Sequence, residues 1–406
     1  MRLGLFFFLL LLACNQQENT EITGKQWYKG NLHTHSYWSD GDEFPEVIMD
    51  WYKSHDYQFI SLSDHNILAN KENWKEMKDS LSQAVFQRYI GKYGFDWVNF
   101  KIDTGKIKVK LKTLEEYRPL YEEEDLFLIL QSEEISDRFE DKPLHLNATN
   151  IGELIEPQGG SSVSDVLQRN INALLKQRDN SGEPMMIHIN HPNFHYAITV
   201  EDMIALQGEQ FFEVFNGHPQ VYNFGDSLHM DTETMWDQIN IAYLNNGKPP
   251  LYGLATDDSH NYHTSGSQQS NSGRGWIYVQ ADTLSARSLI TAMEQGQFYA
   301  SNGVKLESVE VIDNMLNIEA VADGGGYQIQ FIGCHKTDSK TRVLKEVTGN
   351  TASFELSTEL LFVRAKIISS KTPVNPIENM AHQTAWTQPV LYSEQGNMGT
   401  IEQQNN

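Results

Sequence analysis

Apolar residues recur along the chain first with helical spacing and then in a short unbroken run. In residues 44–52 the apolar side chains fall on one helix face, and Pro45 occupies a favourable first-turn position. The apolar run at residues 57–62 then predicts a buried strand. With a strand around residue 33, these elements give strand–helix–strand, the repeating unit of α/β barrels.

Further apolar segments extend this pattern to about residue 303. Strands are predicted at residues 125–130, 145–150, 185–191, 211–215 and 251–255, and helices at residues 163–176 and 285–295. Residues 70–124 break the pattern, because they are charged, rich in aromatic side chains and irregular. We predict that they form a helical insertion over one mouth of the barrel.

The pattern changes from residue 304, where short apolar runs are separated by Gly, Asn and Asp. These runs lie at residues 309–312, 316–320, 327–332, 353–356, 361–368 and 386–392. Closely spaced short strands predict a small antiparallel β-sandwich over residues 304–393. Residues 394–406 are polar and predict a disordered tail.

The amino terminus has the features of an export signal. Residues 3–12 are apolar but too few to span a bilayer, and a small residue precedes the expected cleavage point. The Leu-Leu-Ala-Cys sequence that ends at Cys14 resembles a bacterial lipobox, in which the cysteine becomes the lipidated first residue. The alternative is an ordinary signal peptide with an incidental cysteine.

We therefore expect residues 1–14 to be a lipoprotein signal peptide and residues 15–26 to be a tether. The protein would be exported and anchored to a membrane through the lipid on Cys14, in the periplasm or at the cell surface. Cys334 is the only other cysteine, so no intramolecular disulfide can form once Cys14 carries lipid. An exported chain without disulfides relies on its hydrophobic core, and 406 residues supply ample material for one.

The net negative charge of the chain bears on whether it can bind a nucleic acid polymer. The formal net charge is −23, and no cluster of Lys and Arg is evident. Binding to a nucleic acid polymer needs a basic surface, so this class of partner is disfavoured.

Candidate chemistry begins at His33 and His35. Alternate residues of a strand share a face, so both imidazoles would project into one pocket. Asp40 follows in a Ser-Asp-Gly turn, and His65 follows Asp64 at the end of the next strand. Imidazole is a common ligand of transition metals, and a nearby carboxylate can bridge two ions. The combination predicts a metal site.

Later strands add more candidates. Glu133 and Glu134 would point in opposite directions on a continuing strand, and we favour Glu134 as the ligand. His145 starts the next apolar run. We prefer His191, at a strand end before a proline, as a ligand over His188, which lies within that strand as a buried supporting residue.

The last apolar strand of this region is followed by Asp258 and His260, which alternate and can face one metal. A second pair of this kind at a strand end is hard to explain by chance beside the first cluster. Glu213 and His218, near the preceding strand, are weaker candidates for supporting or substrate-facing groups.

These motifs, in this order, resemble the polymerase and histidinol phosphatase (PHP) superfamily of metal-dependent hydrolases. The resemblance covers about residues 28–304 and rests on His-x-His, Ser-Asp-Gly, Asp-His, a strand-end Glu, His-Pro and Asp-x-His. It implies a distorted (β/α)7 barrel, which we place at residues 27–303. Ser132 stands where the family usually has glycine before its strand-end Glu pair. The opening segment is similar to a group of exported metallohydrolases that includes carbamate-ester hydrolases.

The resemblance also implies a set of ligands for two to three divalent metal ions, Zn, Mn or Fe. Such ions lower the pKa of a bridging water, so that hydroxide becomes available near neutral pH. Carried over position by position, the ligands would be His33, His35, Asp40, His65, Glu134, His145, His191, Asp258 and His260.

Other residues are candidates for further roles in the reaction. Asp40 and Asp258 would neutralise the cluster or orient the nucleophile. Arg274 would clamp an oxyanion or phosphate, because a guanidinium can grip two oxygens at once; its alternative is a surface arginine in a Gly-rich loop. His218 and Asn66 are candidates for substrate binding.

The ligand count favours a phosphomonoesterase or phosphodiesterase that acts on a small molecule. The acidic exterior would slow the approach of an anionic substrate. A carboxylic-ester or carbamate hydrolase that uses the same metal site is therefore the alternative. A metal-containing binding lipoprotein without turnover is the third and weakest interpretation. The sequence leaves the oligomeric state open.

Overall fold

The computed structural model describes residues 24–394. The predicted signal peptide with Cys14, most of the predicted tether and nearly all of the predicted tail lie outside the described residues. Within the described part, no helix has the length and apolar character needed to cross a bilayer. The expected mixed α/β architecture is confirmed, with one large sheet and few helices.

In the described chain, strands and helices are mixed up to residue 301, and only strands follow. The strands of the first part are β1 (Gln26–Asn31), β2 (Phe59–Leu62), β3 (Trp74–Glu76), β4 (Phe100–Asp103), β5 (Lys106–Lys110), β6 (Leu128–Phe139), β7 (Lys142–Thr149), β8 (Met186–Ile189), β9 (Phe211–Asn216), β10 (Tyr252–Thr256), β11 (Trp276–Ala281) and β12 (Phe298–Ser301). The helices are α1 (Pro45–Ser54), α2 (Ser80–Tyr93), α3 (Leu114–Tyr121), α4 (Val163–Ser181), α5 (Val200–Ile204), α6 (Thr232–Asn245) and α7 (Ala286–Glu294). The later strands are β13 (Leu306–Ile312), β14 (Met315–Ala320), β15 (Tyr327–His335), β16 (Arg342–Thr348), β17 (Thr351–Glu355), β18 (Leu360–Ser369) and β19 (Thr384–Thr387).

Seven strands of the large sheet form a row in the order β1, β2, β6, β7, β8, β9, β10. Neighbours in the row are parallel, except that β7 runs antiparallel to both β6 and β8. The two ends of the row meet just beyond β1 and β10, where Thr34 and Ser259 form a parallel bridge. The N–H of His35 also donates to the carbonyl of Ser259 over 2.9 Å. The row is thereby linked end to end at its carboxyl-terminal side.

An apolar cluster lies inside this row of strands. Because side chains alternate along a strand, one residue in two points to the inside. Six of the seven strands contribute to the cluster, with Tyr28, Phe59, Leu130, Met186, Phe211 and Leu254. The polar residues at the strand ends lie directly above this packed apolar interior.

The helices around the row begin and end where local chemistry predicts. Pro45 lies in the first turn of α1, where its missing N–H removes no helical hydrogen bond. The side chain of Ser162 accepts a hydrogen bond from the N–H of Asp165 at the start of α4, and Gly182 ends that helix in the left-handed region, at a φ of 68°. The helices predicted at residues 44–52 and 163–176 are confirmed.

The insertion is not purely helical, contrary to the sequence-based prediction. Strands β3, β5 and β4 form an antiparallel sheet beside α2 and α3. Lysine alternates with apolar residues along β5, and this period of two is a strand signal that the charged composition concealed. Val109 of this unit shares an apolar cluster with Tyr37 and Trp38. The insertion therefore supports the loop that carries Asp40.

Beyond β12 the large sheet continues through β19, β18, β15 and β16, and every pair is antiparallel. A separate sheet of β13, β14 and β17 packs on it through a core that includes Leu316, Ile318, Ile329 and Val363. Two antiparallel layers thus share one apolar core. Strand β16 was missed, because most of its residues are exposed and no clear apolar run marks it.

Candidate metal centre

All nine predicted metal ligands lie in one cluster at the end of the seven-strand row. Each offers a nitrogen or carboxylate oxygen to a group of ligand atoms that lie within 4.8 Å of one another, and five such groups overlap. In chain order, the cluster contains His33 and His35 after β1, Asp40 in the next loop, His65 after β2, Glu134 in β6, His145 in β7, His191 after β8, and Asp258 and His260 after β10.

Glu134 lies at the centre of the cluster. Its Oε1 is 3.0 Å from Nδ1 of His145 and 3.4 Å from Nε2 of His191. Its Oε2 is 3.3 Å from Nε2 of His35 and 2.8 Å from Nδ1 of His65. The two oxygens of one carboxylate thus face different sets of imidazoles, as a ligand that bridges two ions must.

The neighbouring Glu133 points away from the cluster, as expected for adjacent residues of a strand. Its Oε1 accepts a hydrogen bond from the N–H of Ile155 over 2.6 Å, and the side chain is fully buried. Strand β6 continues through both glutamates. The structure therefore places Glu134, and not Glu133, among the imidazoles.

Asp258 completes the most deeply buried part of the cluster. Its Oδ1 is 3.3 Å from Nε2 of both His33 and His35. Nε2 of His33 is also 3.4 Å from Oε1 of Glu134. All four side chains are buried, so a cation held here would be screened from bulk solvent.

Asp40 forms a second, more open part of the cluster. Its Oδ1 is 3.3 Å from Nε2 of His260 and 3.6 Å from Nδ1 of His35, and its Oδ2 is 3.5 Å from Nε2 of His65. The Asp40 side chain is 56% exposed. This group therefore lies at the mouth of the site, where a substrate would enter.

Several ligand atoms in the cluster are buried without a hydrogen-bond partner among the described residues. They are Nε2 of His33, Nε2 of His35, Oε2 of Glu134 and Nδ1 of His145. Buried polar atoms in proteins are nearly always hydrogen-bonded, so a set of four at one place needs an explanation. Imidazole nitrogens and carboxylate oxygens are ligands of Zn, Mn and Fe. The residues present fit divalent cations.

The pKa values in the cluster are shifted by attraction between its carboxylates and its imidazoles. Burial alone would raise the pKa of Glu134, but the imidazoles of His65, His145 and His33 hold it well below its usual value. Burial likewise opposes the charged form of His65, yet the carboxylates of Glu134 and Asp40 raise its pKa to about 11. The carboxylates are therefore ionised, and a cation that binds here must displace protons from histidine.

Asp64 fixes the turn that presents Asp40. Its Oδ1 accepts hydrogen bonds from the N–H groups of Ser36 (2.8 Å) and Ser39 (3.1 Å), and from the hydroxyl of Ser39 (2.6 Å). Its Oδ2 accepts from the hydroxyl of Ser36 over 2.7 Å. The Asp of the Asp-His motif thus orients the turn, and His65 is the member that faces the cluster.

Asn66 has a structural use that its predicted substrate-binding role did not anticipate. Its side-chain oxygen accepts from the N–H of Ser136 over 2.8 Å, and its Nδ2 donates to the carbonyl of Ser136 over 3.0 Å. The carboxamide therefore pairs with the edge of β6 and holds the bend after His65.

Glu213 contacts two of the proposed ligands, His33 and His191, from the side away from Glu134. Its Oε1 lies 2.7 Å from Nδ1 of His33, and its Oε2 accepts from the N–H of His191 over 2.7 Å. Nε2 of the buried His188 is 3.4 Å from Oε1 of Glu213. His188 thus lies behind His33, whereas Nε2 of His191 faces the carboxylates of Glu134 and Asp258. Its sequence context at a strand end indicated this supporting role of Glu213 only weakly.

His218 lies beside the open part of the cluster. Its ring centroid is 5.5 Å from that of His260, and its Nδ1 accepts a hydrogen bond from the N–H of Gln220 over 3.2 Å. Burial lowers the pKa of His218 to about 4, and the nearby Asp258 does not offset this effect. His218 is therefore neutral, with its proton on Nε2, where it can donate a hydrogen bond.

Arg274 does not have the free guanidinium that a phosphate clamp requires. Its Nε donates to the carbonyl of Asn375 over 2.7 Å. Its Nη1 donates to the carbonyls of Gly217 (3.2 Å) and Gln269, and its Nη2 donates to the carbonyl of Gly266 (2.8 Å). The side chain is 1% exposed. The clamp role is corrected: Arg274 ties loops together, a use that a Gly-rich sequence context does not reveal.

Comparisons with known proteins give a distant likeness. No known family profile and no curated protein matches the chain. A two-domain protein from Bacteroides vulgatus that contains a predicted PHP-like metal-dependent phosphoesterase is 16% identical, with a TM-score of 0.40 over 90% of this chain and 96% of that chain. A candidate metal-dependent phosphoesterase from Bifidobacterium adolescentis is 11% identical, with a TM-score of 0.30 over 57% of this chain and 87% of that chain. Both TM-scores are low, so the roles proposed below rest on this chain's own geometry.

Proposed function

We propose that this protein is a metal-dependent hydrolase of the PHP type, and most specifically a phosphomonoesterase or phosphodiesterase that acts on a small molecule. We interpret the seven-strand row as the distorted barrel of that superfamily, followed by a β-sandwich. The observation that carries the proposal is the convergence of unpaired, buried imidazole nitrogens and carboxylate oxygens.

The cluster offers ligands for two to three divalent cations, Zn, Mn or Fe. His33, His35, Glu134 and Asp258 would hold one ion in the buried part. Glu134 would share a second ion with His145 and His191, and the open part would hold a third. The ligands proposed for that third ion are Asp40, His65 and His260.

When bound, divalent cations supply a nucleophile from water near neutral pH and stabilise charge on the oxygen under attack. The chain's own residues supply position and charge. Asp40 is exposed at the mouth and can orient an incoming group, whereas the buried Asp258 neutralises cation charge. The ring of His218 lies beside that of His260, and its N–H at Nε2 would donate a hydrogen bond to the substrate.

One observation favours the second candidate, a carboxylic-ester or carbamate hydrolase. Phosphate recognition usually employs a guanidinium, and the guanidinium of Arg274 is already bound to loop carbonyls. A neutral ester would need no such clamp, and it would also approach a protein of net charge −23 without repulsion.

The test is hydrolysis by protein loaded with Mn²⁺ or Zn²⁺. p-Nitrophenyl phosphate, bis-p-nitrophenyl phosphate and p-nitrophenyl acetate distinguish a phosphomonoesterase, a phosphodiesterase and a carboxylesterase. We expect His33→Ala to lower turnover by well over about tenfold, since it removes a proposed ligand. The exposed His55, at the end of α1, is the matched control, and His55→Ala should retain full activity. Bound metal with no turnover of any substrate would support the non-catalytic binding lipoprotein instead.

We also propose that the protein is exported and anchored to a membrane by lipid on Cys14, in the periplasm or at the cell surface. The lipobox-like sequence supports this proposal. A Cys14→Ala variant should move from the membrane fraction to the soluble fraction of cells. An unchanged distribution would argue for an ordinary signal peptide.

A further inference from the structure

Several large apolar side chains are exposed within one short loop, which joins β9 to α6. The exposed fractions are 50% for Tyr222, 46% for Phe224, 86% for Leu228 and 43% for Met230. Water in contact with apolar surface is unfavourable, and a contiguous exposed apolar patch on a folded protein commonly marks a binding site. This loop is therefore a candidate binding surface.

The loop begins beside the metal centre. His218, near its start, contacts the ring of His260 at a centroid distance of 5.5 Å. Asn193, on the segment that follows β8, donates from its side chain to the carbonyls of Tyr222 (3.1 Å) and Met230 (2.9 Å). The loop is thus attached to the same strand ends that carry the proposed ligands.

Phe194 connects the loop to the cluster. Its ring centroid is 5.2 Å from that of His191 and 6.0 Å from that of His145. Two residues further on, Tyr196 stacks on Tyr222 at 5.3 Å, with an angle of 17° between the ring planes. Phe194 thus contacts two proposed ligands, and Tyr196 of the same short segment contacts the loop. We call this surface the apolar rim and define it as Phe194, Tyr196, Tyr222, Phe224, Leu228 and Met230.

The apolar rim is held in a defined shape. Tyr196 also stacks on His229 at 3.7 Å, with the planes 9° apart, and the carboxylate of Asp226 accepts from the N–H of Leu228 over 2.7 Å. Tyr196 and Tyr222 both have positive φ, at 49° and 50°. Non-glycine residues adopt this conformation only where their surroundings determine it, and such residues cluster at functional sites. A preformed surface can bind a ligand without the cost of ordering.

We infer that the apolar rim binds the organic group of the ester substrate, and that the preferred substrates carry an aromatic or bulky apolar group next to the ester bond. The inference rests on the proposed hydrolase function, because it places the ester group at the metal cluster. The ring of Phe194 lies against two proposed ligands. A group attached directly to the reacting ester would therefore reach it. Aromatic rings stack favourably on Phe and Tyr and leave water as they do so.

Binding tests the inference without turnover. Phenylphosphonate and methylphosphonate have the same anionic group, cannot be hydrolysed as esters, and differ only in the organic group. We expect metal-loaded protein to bind phenylphosphonate about tenfold more tightly in calorimetry, since the phenyl ring buries more apolar area. Turnover should show the same preference for a pair of esters whose leaving alcohols are similarly acidic, with a larger kcat/KM for benzyl phosphate than for methyl phosphate and most of the difference in KM.

A double variant, Phe224→Ala with Leu228→Ala, tests whether the apolar rim is the cause. It should lower the phenyl-to-methyl ratio of affinities by about fivefold or more, because it truncates two large exposed side chains of the surface proposed to bind the ring. The matched control is Phe95→Ala with Leu126→Ala, which truncates the same two residue types at exposed positions (71% and 58%) outside the loop. The control should keep the ratio and the bound metal of the parent protein.

The outcomes separate the two proposals. Equal affinity for the two phosphonates, or an unchanged ratio in the double variant, would overturn the role of the apolar rim while esters are still hydrolysed. If loaded protein neither binds a phosphonate nor hydrolyses any ester, the hydrolase function fails and the role of the rim fails with it.

Discussion

The carboxylate of Glu213 lies 2.7 Å from Nδ1 of His33, on the side of the imidazole away from Glu134. A carboxylate in this position keeps the proton on Nδ1, so that Nε2 presents its lone pair to the metal cluster. The same carboxylate accepts from the N–H of His191 and from the hydroxyl of Thr256, both over 2.7 Å. Glu213 thus fixes two proposed ligands from different strands.

We predict that Glu213→Gln weakens metal binding. The carboxylate is surrounded by donors, so the amide N–H₂ of glutamine would face at least one of them and leave it unpaired. Loss of a carboxylate that orients a histidine ligand lowers metal affinity by about 10- to 100-fold. The affinity can be measured by competition with a chromogenic chelator.

Glu209→Gln is the matched control for this experiment. Glu209 is also a buried glutamate, but its hydrogen-bond partner is the hydroxyl of Tyr243, away from the cluster. This control should change stability and leave metal affinity as in the parent. An equal loss of affinity in both variants would show that Glu213 acts only through general stability.

We predict that Glu134→Gln removes more metal from the protein than Asp40→Asn does. The two oxygens of Glu134 face separate sets of imidazoles, whereas Asp40 faces the open part of the cluster and approaches the buried part only at His35, over 3.6 Å. After dialysis against metal-free buffer, elemental analysis should show at least two ions lost per chain for Glu134→Gln and at most one for Asp40→Asn, if each ion needs about three to four protein ligands. Equal losses would contradict the bridging position of Glu134.

Much of the cluster could be predicted because side chains alternate between the two faces of a strand, so the spacing of residues near a strand end shows which of them share a face. The alternation that pairs His33 with His35 also separates Glu133 from Glu134, and the structure follows it in both places. That these strands belong to one barrel was implied only by the likeness to a known superfamily. The antiparallel course of β7 within the row has no local signal in the sequence.

The errors have a common physical origin in side-chain partners that sequence spacing does not specify. Arg274 follows a glycine, as a clamp for an anion could, but its donors are taken by carbonyls as distant in sequence as Asn375. Asn66 follows a proposed ligand, but Ser136 binds both ends of its carboxamide. The role of Glu213 was underestimated for the same reason, since it depends on His33, far away along the chain.

We predict that Glu43→Gln makes the protein more stable at high pH than its parent. Burial raises the pKa of Glu43 to about 8, although the N–H of Phe44 and the charge of Arg88 oppose the shift. A carboxyl whose pKa is raised in the folded state contributes most stability below its unfolded pKa of about 4.3, and this contribution is lost as pH rises towards 8. Glutamine stays neutral throughout. The advantage of the variant should therefore grow by about 2 to 4 kcal/mol between pH 5 and pH 8.

Urea unfolding of both proteins in the presence of a chelator measures this difference across the pH range. Glu115→Gln serves as the control, because Glu115 is an exposed glutamate in the first turn of α3. Its effect on the free energy of unfolding should stay nearly constant over the same range. A constant difference between Glu43→Gln and the parent would mean that Glu43 is ionised in the folded protein.

A buried ion pair joins strand β18 of the C-terminal part to helix α6. Arg364 on β18 donates from Nε and Nη2 to the two carboxylate oxygens of Asp237 on α6, over 2.7 and 2.9 Å, and Nη2 also donates to Glu233 over 2.9 Å. The Arg364 side chain is 1% exposed, and its guanidinium lies 4.9 Å from the ring centroid of Trp236. The geometry is bidentate, and water is excluded from it.

We predict that Arg364→Met destabilises the protein by about 3 to 5 kcal/mol, because it leaves the buried carboxylate of Asp237 without a cationic partner. Arg342→Met is the matched control: Arg342 binds Asp338 over 2.6 Å but is 57% exposed, and exposed pairs contribute at most about 1 kcal/mol. Urea unfolding gives both values. Adding Asp237→Leu to Arg364→Met removes the orphaned charge and should recover part of the loss. If the double variant is less stable than Arg364→Met alone, the damage comes from lost packing of the arginine on Trp236 and not from an unpaired charge.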